Sequence, residues 1–256
     1  MSQIMNTIIF FCVITLTLTK LTFSSIHPMF KACEPQRCEN SQNITYPFFI
    51  TGKQPSYCGY PRFELTCGSN GFPILNTSTG SQYTVHRIFY HNESLRVSYP
   101  AFSQLSEQNT TQCIAETRNF SRYSKRFSVA PKQKELLLFY GCDSRSFPED
   151  RIIGCSVTNR SSSVVGLYRE DKDLSIAWKN CNGKIVSTRV EDERGGIKEA
   201  LQRGFVLNWT ATNCDQCQNS GGRCGFNLNR SIYAFRCYCP DDVYVDKCNP
   251  SPYSPG

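Results

Sequence analysis

Three histidines, 21 carboxylates and 15 cysteines are the side chains through which this 256-residue chain could do chemistry. His27, His86 and His91 form no His-x3-His pair. No carboxylate pair lies near His86 or His91, so zinc hydrolysis and general acid–base catalysis lack their usual residues. Two facing carboxylates would suit glycoside hydrolysis. The acidic residues instead concentrate in the run from Glu191 to Arg194, beside a helix start that negative charge favours. Neither a G-x-S-x-G elbow, a phosphate-cradling glycine loop nor the D-F-G and H-R-D signatures of kinases occur. Gly221-Gly222 falls between cysteines, where a tight disulfide loop accounts for it. The expectation is a chain with no catalytic residue, no cofactor and no metal.

The cysteines point to an oxidising compartment. Ile8 to Leu18, IIFFCVITLTL, is an apolar run of signal-peptide length, with Thr22, Ser24 and Ser25 as small residues near a cleavage point. It is well short of the roughly 20 apolar residues of a membrane-spanning helix, so residues 1–24 are read as a cleaved signal peptide. Cleavage removes Cys12 and leaves an even set: Cys33, Cys38, Cys58, Cys67, Cys113, Cys142, Cys155, Cys181, Cys214, Cys217, Cys224, Cys237, Cys239 and Cys248. Such density is sustained as disulfides outside the cytosol. Cys214-x2-Cys217 with Cys237-x-Cys239 also has the outline of a zinc or redox motif, but an exported chain meets an oxidant first and no βαβ pattern surrounds it. Eight N-x-[ST] acceptors, at Asn43, Asn76, Asn92, Asn109, Asn119, Asn159, Asn208 and Asn229, place exposed positions along the whole chain. Asn208, followed by Trp209, is the one expected to be skipped.

Without catalysis, binding remains. The net charge of +7 becomes +6 when Lys20 leaves with the signal. A modest positive field draws polyanions, which outside a cell are acidic polysaccharides or lipid headgroups and not nucleic acid; simple solubility is the alternative use of that charge. Sugar recognition combines aromatic faces with fixed polar groups, and the arginine fork matches a carboxylate. Tyr57, Tyr60 and Arg62 around Cys58, with His86, Arg87 and Arg96 on the following strands, are therefore the candidate ligand-binding residues. Aromatic-rich β domains also bury such residues in their own cores.

These residues sit on short runs rich in β-branched and aromatic residues: ITYPFFI from Ile44, FELTC from Phe63, YTVHRIFY from Tyr83 and SLRVSYP from Ser94. Turn signals at Thr51-Gly52, Cys58-Gly59 and Ser69-Asn70-Gly71 separate them, which predicts antiparallel β. Strict alternation puts Tyr83, Val85, Arg87 and Phe89 on one face of their strand, and Thr84, His86, Ile88 and Tyr90 on the other. A polar stretch from Ser103 to Ser128 follows. The second block starts near Lys134 with ELLLFYGC and holds the one convincing helix, in GGIKEALQRGF, with Ile197, Ala200 and Leu201 at helical spacing and Gly204 to end it. Cys214 to Cys248 is too short to bury a core, so cross-links must replace one. LLLF from Leu136 and VVGLY from Val164 have only the length of strands, so no membrane span is expected after processing.

Several of these runs are similar to known domains. C-x4-C from Cys33, NITYPF, YCGYPRFELTC, FPIL, YTVHRIFY and SLRV, between Cys33 and about Pro100, resemble the galacturonan-binding domain of plant wall-associated receptor kinases. ALQRGFVLNW, CDQCQNSGGRCGFN and FRCYCPD resemble the C-terminal wall-associated-kinase domain from about Cys155 to Pro240. Their order resembles the ectodomain of leaf-rust-resistance-type receptor-like kinases. The last cysteines resemble the second half of an EGF-like module, and that analogy implies Cys214 with Cys224, Cys217 with Cys237 and Cys239 with Cys248, one of 15 possible pairings. Glu39 stands where the family often has glycine.

The expected architecture is all-β: two small disulfide-rich antiparallel modules, one short helix and a compact EGF-like C-terminal segment. The expected division is signal peptide 1–24, galacturonan-binding-like domain 33–100, polar linker or long loop 101–133, C-terminal-like domain 134–248 and Pro/Ser tail 249–256. The resemblance implies binding of pectin or oligogalacturonide in the cell wall or apoplast. The alternative is an ectodomain fragment or soluble form of a receptor-like Ser/Thr kinase that senses a protein or peptide ligand, with a receptor or peptide partner and a membrane location only as a fragment of a longer receptor.

Overall fold

The computed structural model describes residues 26–77, 80–103, 105, 112–117, 126–227 and 234–249. The signal segment, the acceptors Asn109, Asn119 and Asn229, much of the polar stretch and most of the tail lie outside the described residues.

Two sheets carry the fold. The larger has the order β1-β2-β3-β4-β5-β12-β7, from strands β1 (Phe49–Ile50), β2 (Glu64–Cys67), β3 (Pro73–Asn76), β4 (Gln82–Phe89), β5 (Ser94–Ser98), β7 (Phe127–Val129) and β12 (Phe205–Trp209). The second has the order β11-β8-β10-β9-β6, from β6 (Cys113–Ile114), β8 (Lys134–Cys142), β9 (Ile152–Ser156), β10 (Ser163–Tyr168) and β11 (Ile185–Val190). Pairing is antiparallel as the turn signals predict, except that β1 runs parallel to β2 and β6 parallel to β9. A small third sheet joins β13 (Arg223–Asn227), β14 (Ala234–Tyr238) and β15 (Val243–Tyr244).

The sheets face each other across one core. Leu65, Leu75, Val85, Leu95, Val97 and Leu207 of the larger sheet share a buried cluster with Leu136, Leu138, Val164 and Val186 of the other. The predicted helix spans Gly196–Arg203 and buries Ile197, Ala200 and Leu201 in this cluster. It stops where expected, at Gly204, whose φ of +73° only glycine adopts without strain. Three shorter helices, Pro28–Ala32, Leu174–Asn180 and Asp215–Asn219, accompany it among the described residues. We number the four helices α1 to α4 in chain order, so α3 is Gly196–Arg203. Runs of five to seven residues span too few turns to show a helical period, which is why only α3 was legible.

The polar stretch supplies structure as well as length, since β6 and the first strand residues of β7 come from it. β12 comes from the second cysteine block yet lies between β5 and β7, pairing Phe205 with Val97, Leu207 with Leu95 and Trp209 with Phe127. The larger sheet thus draws strands from both blocks.

All fourteen cysteines pair: Cys33–Cys58, Cys38–Cys67, Cys113–Cys155, Cys142–Cys181, Cys214–Cys224, Cys217–Cys237 and Cys239–Cys248. The last three follow the EGF-like pattern. Cys237, Cys239 and Cys248 bring their sulfurs within 4.8 Å of one another, and the Cys217–Cys237 and Cys239–Cys248 bonds account for that cluster. No helix among the described residues is long and apolar enough to cross a membrane.

Candidate ligand-binding face

Alternation along β4 fails at one residue. Val85 pairs with Val97, but the next pair is Arg87 with Arg96, then Ile88 with Leu95, so His86 is an extra residue opposite none. Such a bulge exchanges the faces of everything beyond it. Tyr83, Val85 and Ile88 all turn to the core, while Arg87 stands beside Arg96 on the outer face and is exposed. The expected placement of Arg87 with Val85 is therefore corrected by the bulge.

Two arginines directly opposite on one sheet face repel. Arg96 is partly neutralised: its guanidinium lies 2.7 Å from Glu191, each side chain about a third exposed at 35% and 32%. Arg87 has no carboxylate within ion-pair distance among the described residues, and its guanidinium lies over the Phe89 ring at 5.3 Å. His86 is half-buried, shares a hydrogen bond of 2.8 Å with Ser98 Oγ and meets the Phe72 ring edge-on. Burial, and then the charge of Arg96, lowers its pKa from the ordinary 6.5, so at neutral pH the imidazole is an uncharged hydrogen-bonding group. Gln42 clamps the same edge, donating to the Ile88 carbonyl at 2.9 Å and accepting its N–H at 3.1 Å. The result is a patch with one open cation among the described residues, a second held by Glu191, a neutral imidazole and two aromatic rings, beside Thr84, Ser94 and Ser98, which are buried.

The other three candidates lie elsewhere. Tyr60 is buried, with Phe63 and Phe226 edge-on at 5.3 and 4.9 Å and the Arg126 guanidinium 4.5 Å from its ring centroid. Tyr57 packs against Tyr238. Arg62 is exposed in the turn before β2, with φ +73°. None of the three lies on β4 or β5, the strands that carry His86, Arg87 and Arg96.

Sequence reasoning did not reach Glu191, Gln42 or Phe72. The acidic run is more than a solvated helix start: Glu191 holds Arg96, Asp192 meets Arg194 and Arg203, and Glu193 reaches Lys134 at 3.3 Å. The hydrogen bonds and charge of Arg194 hold the Asp192 carboxyl down at about 2. Of the five described acceptor asparagines, Asn43, Asn92 and Asn159 are exposed, while Asn76 and Asn208 are half-buried on strands.

Comparison with known proteins places these elements. Residues 33–99 match the family described as wall-associated receptor kinase galacturonan-binding, and residues 142–242 match wall-associated receptor kinase C-terminal. Both matched segments are thus similar to domain types described from wall-associated receptor kinases. The galacturonan-binding domain supplies β1 to β5 and hence the Arg87–Arg96 face, and the C-terminal domain lends it β12. Leaf rust 10 disease-resistance locus receptor-like protein kinase-like 1.2 of Arabidopsis thaliana is 36% identical over 230 residues, 85% of this chain and 33% of that protein. Kinase-like 2.8 of that series is 22% identical over 85% of this chain and 25% of its own length. RING-H2 finger protein ATL22, also of Arabidopsis thaliana, is 22% identical over 84% of this chain and 56% of itself. The chain therefore spans a quarter to a third of the kinase-named relatives and about half of the RING-H2 one. No solved structure matches it.

Proposed function

We propose that the protein is a secreted, non-catalytic binder of acidic pectic polysaccharide, which docks along the outer face of β4 and β5. The observation that carries this reading is the cross-strand pair Arg87–Arg96, in which Arg87 has no acidic partner among the described residues. Like charges held side by side cost stability and invite an anion between them. A uronate carboxylate suits the guanidinium fork, while Phe72 and Phe89 border the polar groups with apolar ring surface. The galacturonan-binding match over residues 33–99 supports the same ligand class. Titration of a de-esterified oligogalacturonide into the intact protein at several salt concentrations tests it. Saturable binding that weakens with salt, and is lost when the uronates are methyl-esterified, is expected; absence of saturation, or indifference to esterification, overturns it.

A second reading follows from this chain's matching about a third of a receptor-like protein kinase-like relative with which it is 36% identical. The chain would then be the ligand-sensing part of such a receptor. Sequencing the transcript beyond the codon for Gly256 decides this, since an apolar segment of about 20 residues followed by kinase motifs would establish it.

A further inference from the structure

The Arg96–Glu191 ion pair joins the two matched segments, since Arg96 lies in residues 33–99 and Glu191 in residues 142–242. Glu191 directly follows β11, and its backbone N–H donates to the Gly204 carbonyl at 3.0 Å. The side chain therefore reaches Arg96 from an anchored main chain. Its acidic neighbours have cations of their own, Asp192 with Arg194 and Arg203, and Glu193 with Lys134. Among the described residues Glu191 has only Arg96 within ion-pair distance, and Arg96 has only Glu191.

The pair is loosely made. Both Glu191 oxygens meet one guanidinium nitrogen, Nη2, with Oε1 at 3.0 Å and Oε2 at 2.7 Å. Arg96 Nε is buried without a hydrogen-bond partner among the described residues. The two groups thus miss the fork-to-fork geometry, in which two parallel N–H···O bonds form. About a third of each side chain is exposed, and water screens such a pair until it contributes little. A ligand carboxylate that sets its two oxygens on two nitrogens makes the better partner.

We propose that Glu191 is an internal competitor for the uronate site: it stands in for a ligand carboxylate on Arg96 and is displaced when an oligouronide docks. The inference rests on the reading of the β4–β5 face given above. Arg87, the cross-strand partner of Arg96, takes a first uronate with nothing to remove. A chain anchored there holds its other carboxylates at high effective concentration beside Arg96, where one takes the place of Glu191. Ligand and Glu191 exclude each other on Arg96, so the two oppose one another by the same factor in either direction. Occupation of the face thereby breaks a contact between the two segments, and Glu191 lowers the affinity of the resting protein.

The test is calorimetric titration of de-esterified oligogalacturonide into the intact protein at physiological salt. Glu191→Gln keeps a hydrogen-bond acceptor for Arg96 and removes the competing charge. Glu193→Gln removes the same charge from a neighbour that serves Lys134, and so controls for net charge. Expected is an affinity gain of about threefold with Glu191→Gln, in keeping with the worth of a partly exposed pair, and a smaller gain with Glu193→Gln. In an Arg96→Gln background the gain from Glu191→Gln should disappear, as a double-mutant cycle requires of a direct contact. Unchanged or weaker binding in a Glu191→Gln protein of unaltered unfolding midpoint overturns the role of Glu191 and leaves the face as a uronate site. So does an equal gain from Glu193→Gln, or one that persists in the Arg96→Gln background. Absence of saturation in the native protein and in every variant overturns the face itself, and the role of Glu191 with it.

Discussion

Arg87 and Arg96 meet because His86 is one residue too many for its partner strand. If Arg87 grips a carboxylate, Arg87→Gln removes one charge-assisted contact, worth about 1.5 kcal/mol or roughly tenfold in affinity. Calorimetric titration should show that loss, and thermal unfolding should show no loss of stability, because an exposed like-charge neighbour has been removed. His86 gives a prediction in pH. Its lowered folded-state pKa means that the unfolded chain binds the proton more readily. Its contribution is fully present above about pH 6.5 and is lost as pH falls through the lowered folded value. His86→Gln should flatten the decline in unfolding midpoint between pH 7.5 and 5; an unaltered slope would assign the decline to other groups. Of the six candidate residues, His86, Arg87 and Arg96 lie on the neighbouring strands β4 and β5, whereas Tyr60 is buried in the core. Composition cannot distinguish a tyrosine that stacks on sugar from one that packs edge-on against Phe226.

Strand runs were legible from β-branched and aromatic enrichment, and α3 from its apolar spacing. The bulge was not, since an inserted residue leaves the local pattern looking like unbroken alternation. Nor was the seat of β12, whose partner β5 lies about a hundred residues earlier and whose pairing only long-range contacts define. The hinge between α3 and β12 is exacting. Gly204 has φ +73° and ψ −143°, and a Cβ there would overlap the Val97 carbonyl. Gly204→Ala combines backbone strain with overpacking, each costing about 1–3 kcal/mol. A fall in stability of at least about 3 kcal/mol, read by chemical denaturation, is expected, with the β5–β12 pairing the part disturbed. A fall below about 1 kcal/mol would show that the hinge relaxes easily.

At the scale of the molecule, cysteine parity pointed to full pairing of the fourteen cysteines from Cys33 to Cys248, which all pair, and an EGF-like analogy gave the last three bonds. The shared sheet was hidden. Residues 33–100 expressed alone would lack β12 and β7, leaving β5 as an open edge with Leu95 and Val97 without their neighbours. We expect that fragment to be aggregated or poorly protected in hydrogen exchange, and the intact chain to be well protected at β5. The central claim, that acidic polysaccharide docks on the β4–β5 face, is tested most directly by hydrogen exchange of the intact protein with and without saturating oligogalacturonide. The account predicts protection concentrated in residues 86–98 and absent in Arg87→Gln at the same ligand concentration. Protection confined to other strands, or undiminished in that variant, would contradict it.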